Sequence, residues 1–373
     1  MRRASLVVLT IALALGAAAC SSSSPGASAS TDLARPGPYP VGVTTLDLGS
    51  AGRFGERMAT VFYPADAAKT AGHALFRYKL ADPLPPAIVS IVPAKFNSTV
   101  TVDARVDAPG SRAGPFPIVL FSHGFGASRL YYSHILTGIA SWGFVVVSAD
   151  YLERGLYAQA SNSTVKDTPQ QDLHTMFSSL TATETAASHA SSPLYRIANA
   201  RKIAAVGHSA GGQTAFDALN DPRIATAVGW APVGPSATYA KKPVMIIGED
   251  QDVALTKPTL TKEYNAFRGP TTFLEVSGEG HNTYTDICTS IRQGNGGLVG
   301  FAISLHLVTT ELAKLAVNGC TTKNLPPQRF WPIVQDYTVT ALRYGLGIDN
   351  ATKPPRPTPH QFPGFSITFK QHA

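Results

Sequence analysis

The feature that most constrains this chain is Gly207-His208-Ser209-Ala210-Gly211, set between the apolar run Ile203–Val206 and the helix-forming Gly211-Gly212-Gln213-Thr214-Ala215-Phe216. A short continuous apolar run reads as a strand buried on both faces. A G-x-S-x-G sequence between such a strand and a helix demands a tight turn. The residues two places either side of the serine must be small, and Gly207 and Gly211 meet that demand. The turn lifts Ser209 Oγ out of the sheet. The helix behind it favours negative charge developing at its N-terminus. The motif therefore predicts an α/β chain with Ser209 as nucleophile.

The rest of the body repeats the strand-and-helix rhythm. Val41–Leu48 and Met58–Tyr63 read as antiparallel strands joined around Gly49–Gly55. Further apolar runs follow at Ile118–Ser122, Phe144–Ala149, Ile224–Trp230, Val244–Ile247 and Thr272–Val276, with a helical stretch at Ser133–Trp142. Runs of this length separated by helix-length segments predict a mostly parallel sheet covered on both faces, a three-layer α/β sandwich. Tyr151–Ser192 is long and polar; it reads either as a partial lid or as a helix packed on the sheet.

Acyl transfer through a serine needs a base, an acid that orients it, and two donors for the oxyanion. Gly278-Glu279-Gly280-His281 follows the last strand of the parallel set, and His281 is the expected base. The other histidines fit less well, and His306 is placed in a helical run. The acid is expected in Gly248-Glu249-Asp250-Gln251-Asp252-Val253, with Asp252 preferred over Asp250 and Glu249 third. The oxyanion donors are expected to be the amides of Ala210 and of Phe125 in Ser122-His123-Gly124-Phe125-Gly126. Tyr131, Tyr132 and Trp230 are candidates for the wall of an apolar pocket, and Trp230 reads equally well as core.

Composition removes other classes. Hydrophobic residues make up 44% and charged residues 15% of the 373, which excludes a disordered chain. The net charge of +7 is scattered without a Lys/Arg block, so no nucleic-acid partner is expected. No metal or cofactor is implied by any motif.

The N-terminus reads as an export signal over residues 1–19. Arg2 and Arg3 precede the apolar Leu6–Leu15 and the small Gly16-Ala17-Ala18-Ala19. Cys20 directly follows. This layout resembles a bacterial lipoprotein signal, in which that Cys is lipidated; ordinary secretion is the alternative. Residues 20–36 then form a Ser/Ala/Pro-rich tether, 37–350 the catalytic domain and 351–373 a Pro-rich tail. Cys288 and Cys320 are an even pair in an oxidising compartment, where a disulfide between them is expected and two unrelated buried thiols are the alternative.

Taken together, these blocks resemble the α/β-hydrolase superfamily. More narrowly, Val41-Gly42-Val43-Thr44-Thr45, Val61-Phe62-Tyr63-Pro64, Gly143-Phe144-Val145-Val146 and Gly280-His281-Asn282 are similar to the branch of predicted dienelactone hydrolases, platelet-activating-factor acetylhydrolases and cutinase-type polyester hydrolases. The resemblance implies a monomeric serine esterase acting on a small or lipid-like ester through an acyl-enzyme, without a cofactor. Lipase or polyester hydrolase activity, acyl transfer, or a catalytically silent binding module are the alternatives. Ala210 stands where the polyester hydrolases usually carry Met, and a serine replaces the cysteine of dienelactone hydrolases proper.

Overall fold

In a computed structural model, successive residues of each apolar run face opposite sides of a single eleven-stranded sheet. The structure describes residues 32–349 and 362–372, apart from 162, 237, 294 and 295. The segment read as an export signal, Cys20 and residues 350–361 lie outside the described residues.

The strands are β1 (Val41–Ser50), β2 (Glu56–Pro64), β3 (Leu75–Lys79), β4 (Thr99–Val106), β5 (Phe116–Ser122), β6 (Val145–Ala149), β7 (Ala198–His208), β8 (Ile224–Trp230), β9 (Val244–Glu249), β10 (Thr271–Val276) and β11 (Ile367–His372). Their order is β11-β10-β9-β8-β7-β5-β6-β2-β1-β4-β3. The stretch from β6 to β10 is parallel throughout. β1 and β2 pair antiparallel with each other, as the sequence predicts, and β2 joins β6 antiparallel.

Side chains sort by parity. Val119, Phe121, Ala204, Val206, Met245 and Ile247 enter one core, against the helices Ser133–Ser141 and Pro327–Gly345. Ile118, Leu120, Ile203, Ala205, Val244 and Ile246 enter the other, against Pro169–Ser188, Ala210–Ala218 and Lys257–Ala266. This is the expected three-layer sandwich. A parallel sheet needs both faces covered because its strands carry apolar residues on both.

Three strands go beyond the sequence reading. β3 and β4 extend one edge, and β11 pairs antiparallel with β10 at the other. The C-terminal segment Ile367–His372 is thus part of the sheet. Of the stretch before the elbow, Pro169–Ser188 packs on the sheet, the second of the two expectations, while the short helix Leu156–Ala160 lines the pocket described below.

Candidate active site

Ser209 sits between β7 and the helix Ala210–Ala218 with φ 56° and ψ −121°, a left-handed conformation that a side-chain-bearing residue adopts only under constraint. The constraint is backbone crowding. A Cβ on Gly207 would lie 1.9 Å from the Gly211 carbonyl oxygen, and one on Gly211 would lie 2.0 Å from that of Ser122. The Ser209 amide donates to the Trp230 carbonyl at 2.9 Å, tying the turn to β8.

His281 Nε2 stands 2.9 Å from Ser209 Oγ, and its Nδ1 stands 2.8 Å from Asp252 Oδ2. The imidazole and Asp252 are buried, and the three side chains form one continuous chain. Asp252 Oδ1 accepts from the amides of Ala254 and Leu255 at 2.7 and 2.9 Å. Burial alone would raise the Asp252 pKa. The hydrogen bond and charge of His281, with those two amides, carry it below its ordinary value. Asp250 is exposed and accepts from the Gly278 amide at 2.7 Å, away from the imidazole. Glu249 is buried and bonded by the Tyr284 hydroxyl; burial and neighbouring carboxylates push its pKa well up.

The amides of Ala210 and Phe125 donate to no group among the described residues. They flank Ser209 from the helix N-terminus and from the loop after β5. That loop is braced from behind. His123 is buried, its Nδ1 donates to the Gly124 carbonyl at 2.9 Å, and its Nε2 accepts from the Tyr151 amide at 3.1 Å. Burial and the Arg154 charge push its pKa down to about 3, so it stays neutral. The buried Arg154 donates to Ser122 Oγ at 2.6 Å and to the His123 carbonyl at 3.0 Å, and pairs with Asp172.

Ser209 and His281 open onto an apolar pocket of about 1160 Å³, its open mouth included. Tyr131, Tyr132, the half-exposed Phe125 and Leu156 line it on the sheet side. Leu298, Phe301, Leu312 and Leu315 close it from the segment that follows His281. Trp230 does not line it. Its ring is fully buried, lies parallel to Tyr284 at 5.6 Å, and donates from Nε1 to Thr338 Oγ1 at 2.9 Å. It is core, covered by Tyr284 and by the helix Pro327–Gly345 that carries Thr338. His306 lies exposed in a turn with φ 55°, just past the helix Gly297–Ser304, not within it.

Cys288 and Cys320 form a disulfide, with Cα atoms 4.8 Å apart. Two residues before Cys320 stands Asn318, which the sequence reading passed over. Its Oδ1 accepts from the His281 amide at 2.8 Å and from the Val253 amide at 3.3 Å. Its Nδ2 donates to the Gln251 carbonyl at 3.0 Å, and its own carbonyl accepts from the Asn282 amide at 2.9 Å. One side chain thus joins the loop of Asp252 to the loop of His281. Nothing local in sequence marks it; the neighbouring Cys320 is the one available signal. Among the described residues no group of His, Cys, Asp and Glu is arranged to hold a metal ion.

The family model described as chlorophyllase matches residues 89–267, a stretch that contains Phe125, Ser209 and Asp252 and stops short of His281. Chlorophyllase-1 of Arabidopsis thaliana is 31% identical over 134 residues, which is 36% of this chain and 38% of that protein. The chain therefore matches little more than a third of that relative's length. A ferulic acid esterase from Streptomyces cinnamoneus superposes with a TM-score of 0.60 at 19% identity, covering 90% of this chain and 98% of that one. The chain is an α/β-hydrolase. The superfamily to which the sequence blocks were likened is thereby borne out, together with its fold.

Proposed function

We propose that this α/β-hydrolase is an exported serine esterase that cleaves carboxylic esters through an acyl-enzyme. The observation that carries the reading is the continuous Asp252–His281–Ser209 chain, with spacings of 2.8 and 2.9 Å, at the floor of an apolar pocket. The esterase and chlorophyllase names of its similar proteins point the same way.

In this mechanism His281 Nε2 takes the Ser209 proton as Oγ attacks the ester carbonyl carbon. The carbonyl π pair moves onto oxygen, and the amides of Phe125 and Ala210 receive the oxyanion. Collapse expels the alkoxide, which leaves with the proton from His281. Water then repeats the cycle on the acyl-enzyme and releases the acid. Asp252, held ionised, fixes the imidazole tautomer and stabilises its cationic form. The apolar walls favour an ester with at least one apolar arm.

Export is the proposal for the N-terminal signal, with Cys20 as a lipid attachment point. A buried disulfide near the base supports maturation in an oxidising compartment. Ser209→Ala is expected to remove roughly 10⁴-fold or more of kcat on a p-nitrophenyl ester panel running from acetate to palmitate, with the fold retained. Parental hydrolysis by that variant would overturn the reading.

A further inference from the structure

His208, the second residue of the elbow motif, takes no part in the chemistry above, yet it is buried between the three segments that do. Its Nε2 lies 2.8 Å from the His281 carbonyl oxygen and its Nδ1 lies 2.8 Å from the Tyr132 hydroxyl. The Tyr132 hydroxyl in turn receives the Gly124 amide at 3.4 Å.

The donor sense of this chain follows from the groups themselves. A carbonyl oxygen only accepts, so His208 Nε2 carries a hydrogen. Burial, and then the charge of His281, hold the His208 pKa well below its ordinary value, so Nδ1 is a bare lone pair. The Tyr132 hydroxyl must then donate to Nδ1, which turns its own lone pairs toward the Gly124 amide. The three bonds thus run in one direction: Gly124 to Tyr132, Tyr132 to His208, His208 to His281.

Resting on the serine-esterase reading, we propose that Tyr132 and His208 are positioning residues that set the base loop and the oxyanion loop at a fixed distance from Ser209. Gly124 immediately precedes Phe125, His208 immediately precedes Ser209, and the His208 bond falls on the backbone of His281 itself. The Asn318 side chain holds the amide of the same residue. His281 is therefore gripped at both its N–H and its C=O, from opposite parts of the chain. Neutrality is part of the device. The His208 and His281 rings are 4.8 Å apart, and a cation at His208 would oppose the imidazolium that forms during each proton transfer.

The test uses Tyr132→Phe, His208→Leu and His208→Gln in the full chain, with Ser209→Ala as control. The Tyr132 ring packs on Phe121 and Trp230, so Phe keeps its contacts and loses only the hydroxyl. On p-nitrophenyl butyrate, Tyr132→Phe is expected to lower kcat about 10-fold or more, and His208→Leu about 100-fold, with KM within about 2-fold of the parent. His208→Gln retains an N–H able to reach the His281 carbonyl and should recover at least part of the kcat lost in His208→Leu. Rates are expressed per folded molecule, measured by near-ultraviolet circular dichroism. Parental kcat in Tyr132→Phe and His208→Leu, beside an inactive Ser209→Ala, overturns this inference and leaves the esterase reading standing. So does a loss that vanishes once rates are expressed per folded molecule. An active Ser209→Ala overturns the esterase reading, and this one with it.

Discussion

At the elbow, a methyl group on residue 207 would come within 1.9 Å of a neighbouring carbonyl oxygen; at the base loop, His281 is fixed by the side chains of Asn318, His208 and Asp252. The proposed nucleophile is set by backbone sterics at one glycine-flanked turn, where Gly207 crowds Gly211 and Gly211 crowds Ser122 of β5. The proposed base is set by hydrogen bonds from residues 29 to 73 positions away. A steric device is local, stiff and visible as a glycine pattern. A hydrogen-bonded device is assembled by the whole fold and can be weakened one bond at a time. The base side should therefore give graded losses, and the elbow should give abrupt ones.

The largest effect on the base side is expected at Asp252. Asp252→Asn should lower kcat roughly 10⁴-fold, because the amide favours the wrong imidazole tautomer. Asp250→Asn, whose carboxylate faces Gly278, should remain near the parent. Steady-state kinetics of both variants checks this; equal effects would break the assignment of the acid to Asp252.

A smaller loss is expected at Asn318, which orients the two loops without touching either the imidazole or the ester. Asn318→Ala should lower kcat by about 10- to 100-fold, with KM changed less than kcat. A parental rate would mean that the disulfide and His208 alone suffice to hold the base.

The smallest catalytic effect is expected at the disulfide. Replacing Cys288 and Cys320 together by Ser should cost at most about 3–4 kcal/mol of stability by the loop-entropy estimate, read from urea unfolding, with a milder loss of kcat than in Asn318→Ala. An unchanged midpoint would break the view that the segment after His281 depends on a covalent tie. That view rests on its thin packing: the helix Thr310–Val317 buries none of its residues, whereas Ala210–Ala218 buries seven.

The same contrast governs what was legible in the sequence. The parallel core was legible because β5 to β10 are apolar on both faces and carry their signal within each run. β4 carried one too: Val100, Val102 and Ala104 are buried and alternate with polar residues, the period-2 signature of a strand covered on one face, and no continuous apolar run marks it. β11 is short, half exposed and lies beyond the Pro-rich stretch; only its pairing to β10 makes it a strand. That Ser209 and His281 come together was legible from motifs and chain order. The choice between Asp252 and Asp250 turned on which way adjacent side chains point, and a loop does not write that in its composition. Trp230 illustrates the converse, since an aromatic at a strand end reads as pocket or core until the helix carrying Thr338 is seen to cover it. Asn318 was beyond reach because its role exists only where three loops meet.

The central claim is that one serine, activated through His281, carries the reaction. The most direct measurement is inactivation by a fluorophosphonate followed by peptide mapping of the adduct, run on the parent and on Asp252→Asn. The account predicts a single adduct, on Ser209, whose appearance matches loss of esterase activity, and much slower labelling in Asp252→Asn. An adduct on another residue, or full hydrolysis by fully labelled protein, would contradict it.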